Sequence, residues 1–204
     1  MNQYLNRSVS FADYSRLVER LVREGATTGP NQSEAMVGYT KLNLQRMRRL
    51  AKRNSIDEEA AKALRNNKRS MIWLTITEVW CGDAAQNIPM IEKLAAESGL
   101  VETRYILRDE NKELMECFLS NGSRSIPKLI ALDAATFEIL GTWGPRPQPA
   151  QDLFIEMRAR GVEKTQIMQA LQYWYNENQG HSVQKEISDL VLSWRTGHVA
   201  ALGV

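Results

Sequence analysis

Trp80-Cys81-Gly82-Asp83-Ala84 holds the strongest nucleophile candidate of the chain, Cys81. The segment follows an apolar, β-branched run and precedes a helical pattern, so Cys81 falls at the end of a strand and the start of a helix. A thiol placed there meets unpaired N–H groups and the positive end of the helix dipole, and both favour thiolate. A thiolate attacks a disulfide, a sulfenic acid or a peroxide. Asp83 acts in two directions. In the first helical turn its charge supports the helix, while close to Cys81 it opposes the thiolate and raises the pKa. Asp83 also reads simply as a helix-start residue.

Other chemistry-bearing residues form weaker patterns. Two cysteines, Cys81 and Cys117, make no disulfide framework, and with His181 and His198 they make no metal motif. No cofactor site is expected. Cys117, in Leu114-Met115-Glu116-Cys117-Phe118-Leu119, reads as structural or semi-exposed, with a resolving role as the alternative. Arg46, Arg48, Arg49, Lys52 and Arg53 read as a solvated helix face. They lack the interleaved aromatics of a nucleic-acid patch.

The elements that must position Cys81 follow from patterning. A chain of 204 residues with a net charge of +2 suffices for one core plus an elaboration, and that charge predicts no nucleic-acid partner. No signal peptide and no membrane span is visible, so a reducing cytoplasm is the expected location. Residues 1–68 read as a helical extension. Phe11, Leu17, Val18 and Leu21 mark one helix, and Val37 to Leu50 a second. Ser55-Ile56-Asp57-Glu58 has the form of a capping box for a third.

Residues 69–151 alternate. Met71 to Thr77 reads as a buried strand, Asp83 to Glu97 as a helix capped by Gly99, and Val101 to Leu107 as a second strand. Lys112 to Ser120 reads as a helix closed by Asn121-Gly122. Pro127 to Leu132 and Phe137 to Trp143 read as a hairpin. Gly144 to Pro149 is expected to break regular structure. Residues 152–204 read as a helical extension packed on the core, with helices over Gln151–Arg160, Val162–Asn176 and Ser182–Ser193. The order is α/β, a central mixed sheet flanked by helices.

Several motifs now combine. Trp80-Cys81-Gly82, Pro89 within the following helix, Arg108-Asp109-Glu110-Asn111 after the second strand, Arg124-Ser125-Ile126-Pro127 before the third, and Gly144 after Trp143 resemble the thioredoxin superfamily. The resemblance covers roughly residues 69–151. It implies a thioredoxin fold in which Ile126-Pro127 is a cis peptide lying against Cys81. Such a proline leaves the preceding backbone groups free to pair with an extended substrate. Tyr173-Trp174-Tyr175-Asn176 and Ser182 to Glu186 resemble the tail of a bacterial thioredoxin-like group carrying Trp-Cys-Gly-Asp motifs.

Two departures from the family matter. Its second cysteine is Ala84 here, and its buried aspartate in the preceding strand is Thr75. Dithiol exchange is therefore lost while the nucleophile remains. Thr75 also reads as an ordinary strand residue. A mixed disulfide on Cys81 would need resolution from outside. The resemblance implies Cys81 as the catalytic residue, with Trp80, Gly82, Asp83, Ala84, Ile126, Pro127 and Gly144 around a substrate groove. Lys128 reads as a solvated strand residue, or, if it reaches the groove, as a cation holding the thiolate or a carboxylate of a small thiol. Trp80 and Trp143 wall the groove or serve packing.

The favoured function is monothiol thiol–disulfide exchange. Its substrate is a small thiol or a protein disulfide, and an external thiol is the reductant. The alternative is a non-catalytic binding protein using the groove around Pro127. A peroxidase-like thiol has little support, because no arginine stands near Cys81 in the motif. Oligomeric state is not readable from the chain.

Overall fold

The structure, a computed structural model, describes residues 1–195, so His198 lies outside the described residues. Four helices come first: α1 (Asn2–Arg7), α2 (Phe11–Glu24), α3 (Glu34–Arg53) and α4 (Glu58–Arg65). The alternating part follows as β1 (Met71–Thr77), α5 (Gly82–Ser98), β2 (Val101–Leu107), α6 (Lys112–Glu116), β3 (Lys128–Asp133) and β4 (Ile139–Trp143). Helices α7 (Gln148–Ala159), α8 (Lys164–Asn178) and α9 (His181–Trp194) complete the described chain.

The strands form one sheet in the order β2-β1-β3-β4. β1 runs parallel to β2 and antiparallel to β3, and β3 is antiparallel to β4. Every residue of β1 is buried. A central strand covered on both faces loses the polar alternation of a half-exposed one, which explains its continuous apolar run.

Side chains nevertheless alternate between two cores. Ile72, Leu74 and Ile76 of β1 join Ile130 and Leu132 of β3 on one face, under Tyr14 and Val18 of α2 and Met47 of α3. Met71 and Trp73 join Leu129 and Ala131 on the other, under Leu64 of α4 and Val183, Ile187, Val191 and Trp194 of α9. Helix α5 contributes to both: Ala84, Ala85 and Ile88 to the first, Met90, Ile91 and Leu94 to the second. Helices α2, α3, α4, α5 and α9 thus cover the two faces, while α7 and α8 pack on each other around Ala150, Ile167 and Leu171.

Some boundaries differ from expectation. Helix α4 starts at Glu58 behind Asp57, and Ser55 does not cap it. Contacts from α9 take precedence there: Gln184 Oε1 accepts from the Asp57 amide at 2.7 Å, and His181 Nδ1 lies 2.8 Å from Asp57 Oδ2. Helix α6 stops at Glu116, and a Ser120–Ser123 bridge around Asn121-Gly122 takes over the remaining turn. Regular structure resumes at Gln148, inside the proline-rich stretch, with Pro149 in the first turn of α7. The amide that proline lacks has no partner to lose there.

Candidate functional site

Cys81 is the N-cap of α5. Its Sγ accepts from the Ala84 amide at 3.4 Å and donates to the Ile126 carbonyl at 3.2 Å. The Ile126–Pro127 peptide is cis. Three sequence-predicted positions, Cys81, Ala84 and Ile126, therefore meet at one sulfur. Gly144 backs the same loop with φ +110°, and a Cβ there would fall inside contact distance of the Pro127 carbonyl oxygen. Glycine is the residue that permits this approach.

Cys81 is only 7% exposed. Burial pushes the Cys81 thiol up to about 12, and the Asp83 charge adds to the rise. The Ala84 and Asp83 amides and the Arg146 charge oppose it without prevailing. The helix-start preference for thiolate is thus overridden by desolvation, and the thiol donates its proton to a backbone carbonyl.

Asp83 is held by residues that sequence reasoning missed. Arg146 Nη2 and Nε reach its Oδ2 at 2.6 and 3.1 Å, and the Tyr175 hydroxyl donates to Oδ1 at 2.8 Å. Asn87 donates to the Tyr175 oxygen at 3.0 Å. Arg146 also lies over the Phe154 ring, 4.5 Å from its centroid. An arginine absent from the motif is supplied by the loop after β4, so the sequence argument about arginine holds for the motif and fails for the fold. Arg146 carried only a faint signal, a charge framed by Pro145 and Pro147. Tyr175 lies in the Tyr173–Asn176 segment that stood out in the tail.

The remaining expectations divide. Lys128 is buried, Nζ donates to Ser120 Oγ at 3.2 Å, and burial lowers its pKa; it is no solvated strand residue. The turn that replaces the end of α6 delivers Ser120 to it. Trp143 is buried in the second core and donates to Glu186 Oε2 at 2.7 Å, so it serves packing. Trp80 is partly exposed, with Arg108 4.9 Å from its ring centroid. Cys117 is exposed at the end of α6. Thr75 is fully buried, and its hydroxyl has no hydrogen-bond partner.

A cavity of about 400 Å³ opens beside the motif. Its floor includes Trp80, Cys81 and Gly82. Helix α3 walls one side with Met36, Tyr39 and Arg46, and α8 the other with Met168 and Leu171. Among the described residues no group of three or more His, Cys, Asp or Glu is arranged to hold a metal. No described helix is long and apolar enough to cross a membrane.

The family model described as thioredoxin matches residues 29–158, well over half of the chain. The chain belongs to the thioredoxin family. Its four-stranded mixed sheet with flanking helices is a thioredoxin fold. Two solved structures share the architecture: an HIV epitope-scaffold with a TM-score of 0.56, and a protein of unknown function from Pseudomonas aeruginosa with a TM-score of 0.58. Each is 16% identical and covers 90% of this chain and 98% of its own. A match of that breadth takes in the flanking helices as well as the thioredoxin sheet. No curated protein matches.

Proposed function

We propose that this thioredoxin-family protein carries out monothiol thiol–disulfide exchange at Cys81, with an external thiol completing the cycle. The observation that carries the reading is the placement of the sulfur. Sγ sits at the start of α5, against the carbonyl of the cis peptide, and lines the cavity. The Cys81 thiolate attacks one sulfur of a disulfide. The Cys81–substrate S–S bond forms, the original S–S bond breaks, and the leaving thiolate takes up a proton. A second thiolate attacks the substrate sulfur of the mixed disulfide, and a new S–S bond forms between those two sulfurs. The Cys81–substrate bond breaks, and the Cys81 sulfur leaves and takes up a proton. Ala84 supplies no sulfur for an internal resolution, so a free thiol must do so. The reading includes membership of the single-cysteine Trp-Cys-Gly-Asp-Ala group of bacteria and a reducing cytoplasm.

A pKa raised to about 12 makes thiolate scarce at neutral pH, and it favours a second reading. There the fold binds and does not catalyse, and Cys81 is a buried thiol that satisfies the Ile126 carbonyl. Mass spectrometry after incubation with a small disulfide separates the two. Exchange predicts an adduct on Cys81 that a free thiol removes, lost in Cys81→Ser and kept in Cys117→Ser. Absence of any adduct over hours, with alkylation of Cys81 slower than that of a model thiol, leaves only the binding reading.

A further inference from the structure

The cavity beside Cys81 carries charge that the thioredoxin motif does not supply. Arg46 projects from α3, and its Nη1 lies 3.7 Å from where a Cβ on Gly82 would be. Its one described hydrogen bond goes to Asn43 Oδ1 at 3.1 Å, a neutral acceptor on its own helix. Lys164 stands on the opposite rim, at the start of α8. Neither takes part in an ion pair among the described residues. The one carboxylate lining the cavity, Asp83, is already neutralised by Arg146 from behind.

The cavity therefore has a net positive charge, with its half-buried cation next to the motif. A buried or half-buried guanidinium without a carboxylate is an open position for one, because a planar fork of donors matches a carboxylate in two hydrogen bonds. Between the cations the walls are mostly apolar, with Met36 and Tyr39 on one side, Met168 and Leu171 on the other and Trp80 below, and they add the uncharged amides of Asn43, Gln86 and Gln172. A volume of about 400 Å³ falls in the range of small-molecule sites.

We propose that this cavity recognises small organic carboxylates, and that Arg46 reads the carboxylate. Combined with the exchange reading, on which this part rests, the substrate class is a small disulfide or thiol bearing a carboxylate, with its sulfur at Cys81. Recognition comes from helices outside the sheet, so the α3 and α8 walls select what reaches the thiol.

The test uses the full chain carrying Cys81→Ser, which binds without reacting. Calorimetry compares dithiodipropionate, hydroxyethyl disulfide and cystamine, which share a disulfide and differ in charge. The dianion should bind about tenfold more tightly than the neutral probe, as a charge-assisted hydrogen bond implies, and the dication most weakly. Arg46→Gln should erase that preference, and Arg46→Lys, which keeps the charge but not the planar fork, should retain only part of it. Equal affinity for the dianion and the neutral probe, no binding of either, or a preference untouched by Arg46→Gln overturns the inference. Wild-type protein then reports on exchange separately: if the dianion binds but forms no adduct on Cys81, the exchange reading fails while carboxylate recognition stands.

Discussion

Asp83→Asn and Arg146→Gln should move Cys81 in opposite directions. Asp83 raises the thiol's pKa by charge and Arg146 lowers it, while burial sets the larger part of the rise. Replacing the carboxylate with an amide removes a negative charge and leaves the guanidinium facing the sulfur. Asparagine keeps an oxygen for the Tyr175 hydroxyl now 2.8 Å from Oδ1. A nearby charge moves a pKa by about one unit or more, and the lower figure suits a site whose burial is unchanged. Well below the pKa, one unit raises the thiolate tenfold. Intrinsic nucleophilicity falls with a Brønsted slope of about 0.4–0.5, so the exchange rate should rise by a net factor of about three. Arg146→Gln should lower it by a similar factor.

Both variants break an ion pair whose side chains are 10% and 14% exposed. Each should therefore cost about 3 kcal/mol of stability, because each leaves a buried charge uncompensated. The double variant should cost less than the two single costs added. The assay is adduct formation with hydroxyethyl disulfide, a neutral probe, at fixed pH, with urea melts alongside. Opposite rate changes with matching losses of stability are the expected result. Rates that fall together, or stay level while stability drops, would show that packing and not charge governs the sulfur, and the electrostatic account would be wrong.

Alkaline stability should also report on Cys81. The thiol ionises near 9.0 when unfolded and near 12 when folded, so the unfolded state binds fewer protons in that window. The contribution is complete below pH 9 and lost as pH rises towards 12; wild type should lose about 1.4 kcal/mol more than Cys81→Ser between pH 8 and 10 in urea melts. Gly144→Ala should destabilise by about 3 kcal/mol, since φ is +110° and the added methyl meets the Pro127 carbonyl, and it should disturb the Cys81 environment in NMR spectra. Thr75→Val should raise stability by about 1 kcal/mol in the same melts, because it removes a buried hydroxyl that has no partner.

The sheet was legible because periodicity is local. Met71–Thr77 and Val101–Leu107 form strands over the spans their patterns predict, and Gly99 closes α5 in the left-handed conformation. Helix ends near other elements were less legible. Ser55 lost its capping role because Gln184 and His181, more than a hundred residues away, engage Asp57. Lys128 looked solvated because a lysine in an alternating strand usually is; here the strand is covered on both faces. At the site, the motif showed the sulfur but not its environment. Whether a helix-start cysteine becomes a thiolate depends on burial, and much of the cover around Cys81 comes from α3, α8 and the β4–α7 loop, outside the Trp-Cys-Gly motif.

Those covers connect the two departures from the dithiol pattern to the rest of the molecule. Ala84 is buried and Thr75 holds a hydroxyl without a partner, so apolar packing fills the positions where the family has its second sulfur and its carboxylate. Polar machinery has moved to the start of α5. There Asp83 is bound by Arg146 from the β4–α7 loop and by Tyr175 from α8, and Tyr175 is bound by Asn87 from α5 itself. This closed set of contacts ties the helix that carries Cys81 to the C-terminal helices. Since Arg146 and Asp83 are also opposing influences on the thiol, any ligand or variant that shifts α8 changes the charge balance at the sulfur. The same helix forms a wall of the cavity through Met168 and Leu171, so a ligand held there touches the helix that also holds Asp83 through Tyr175.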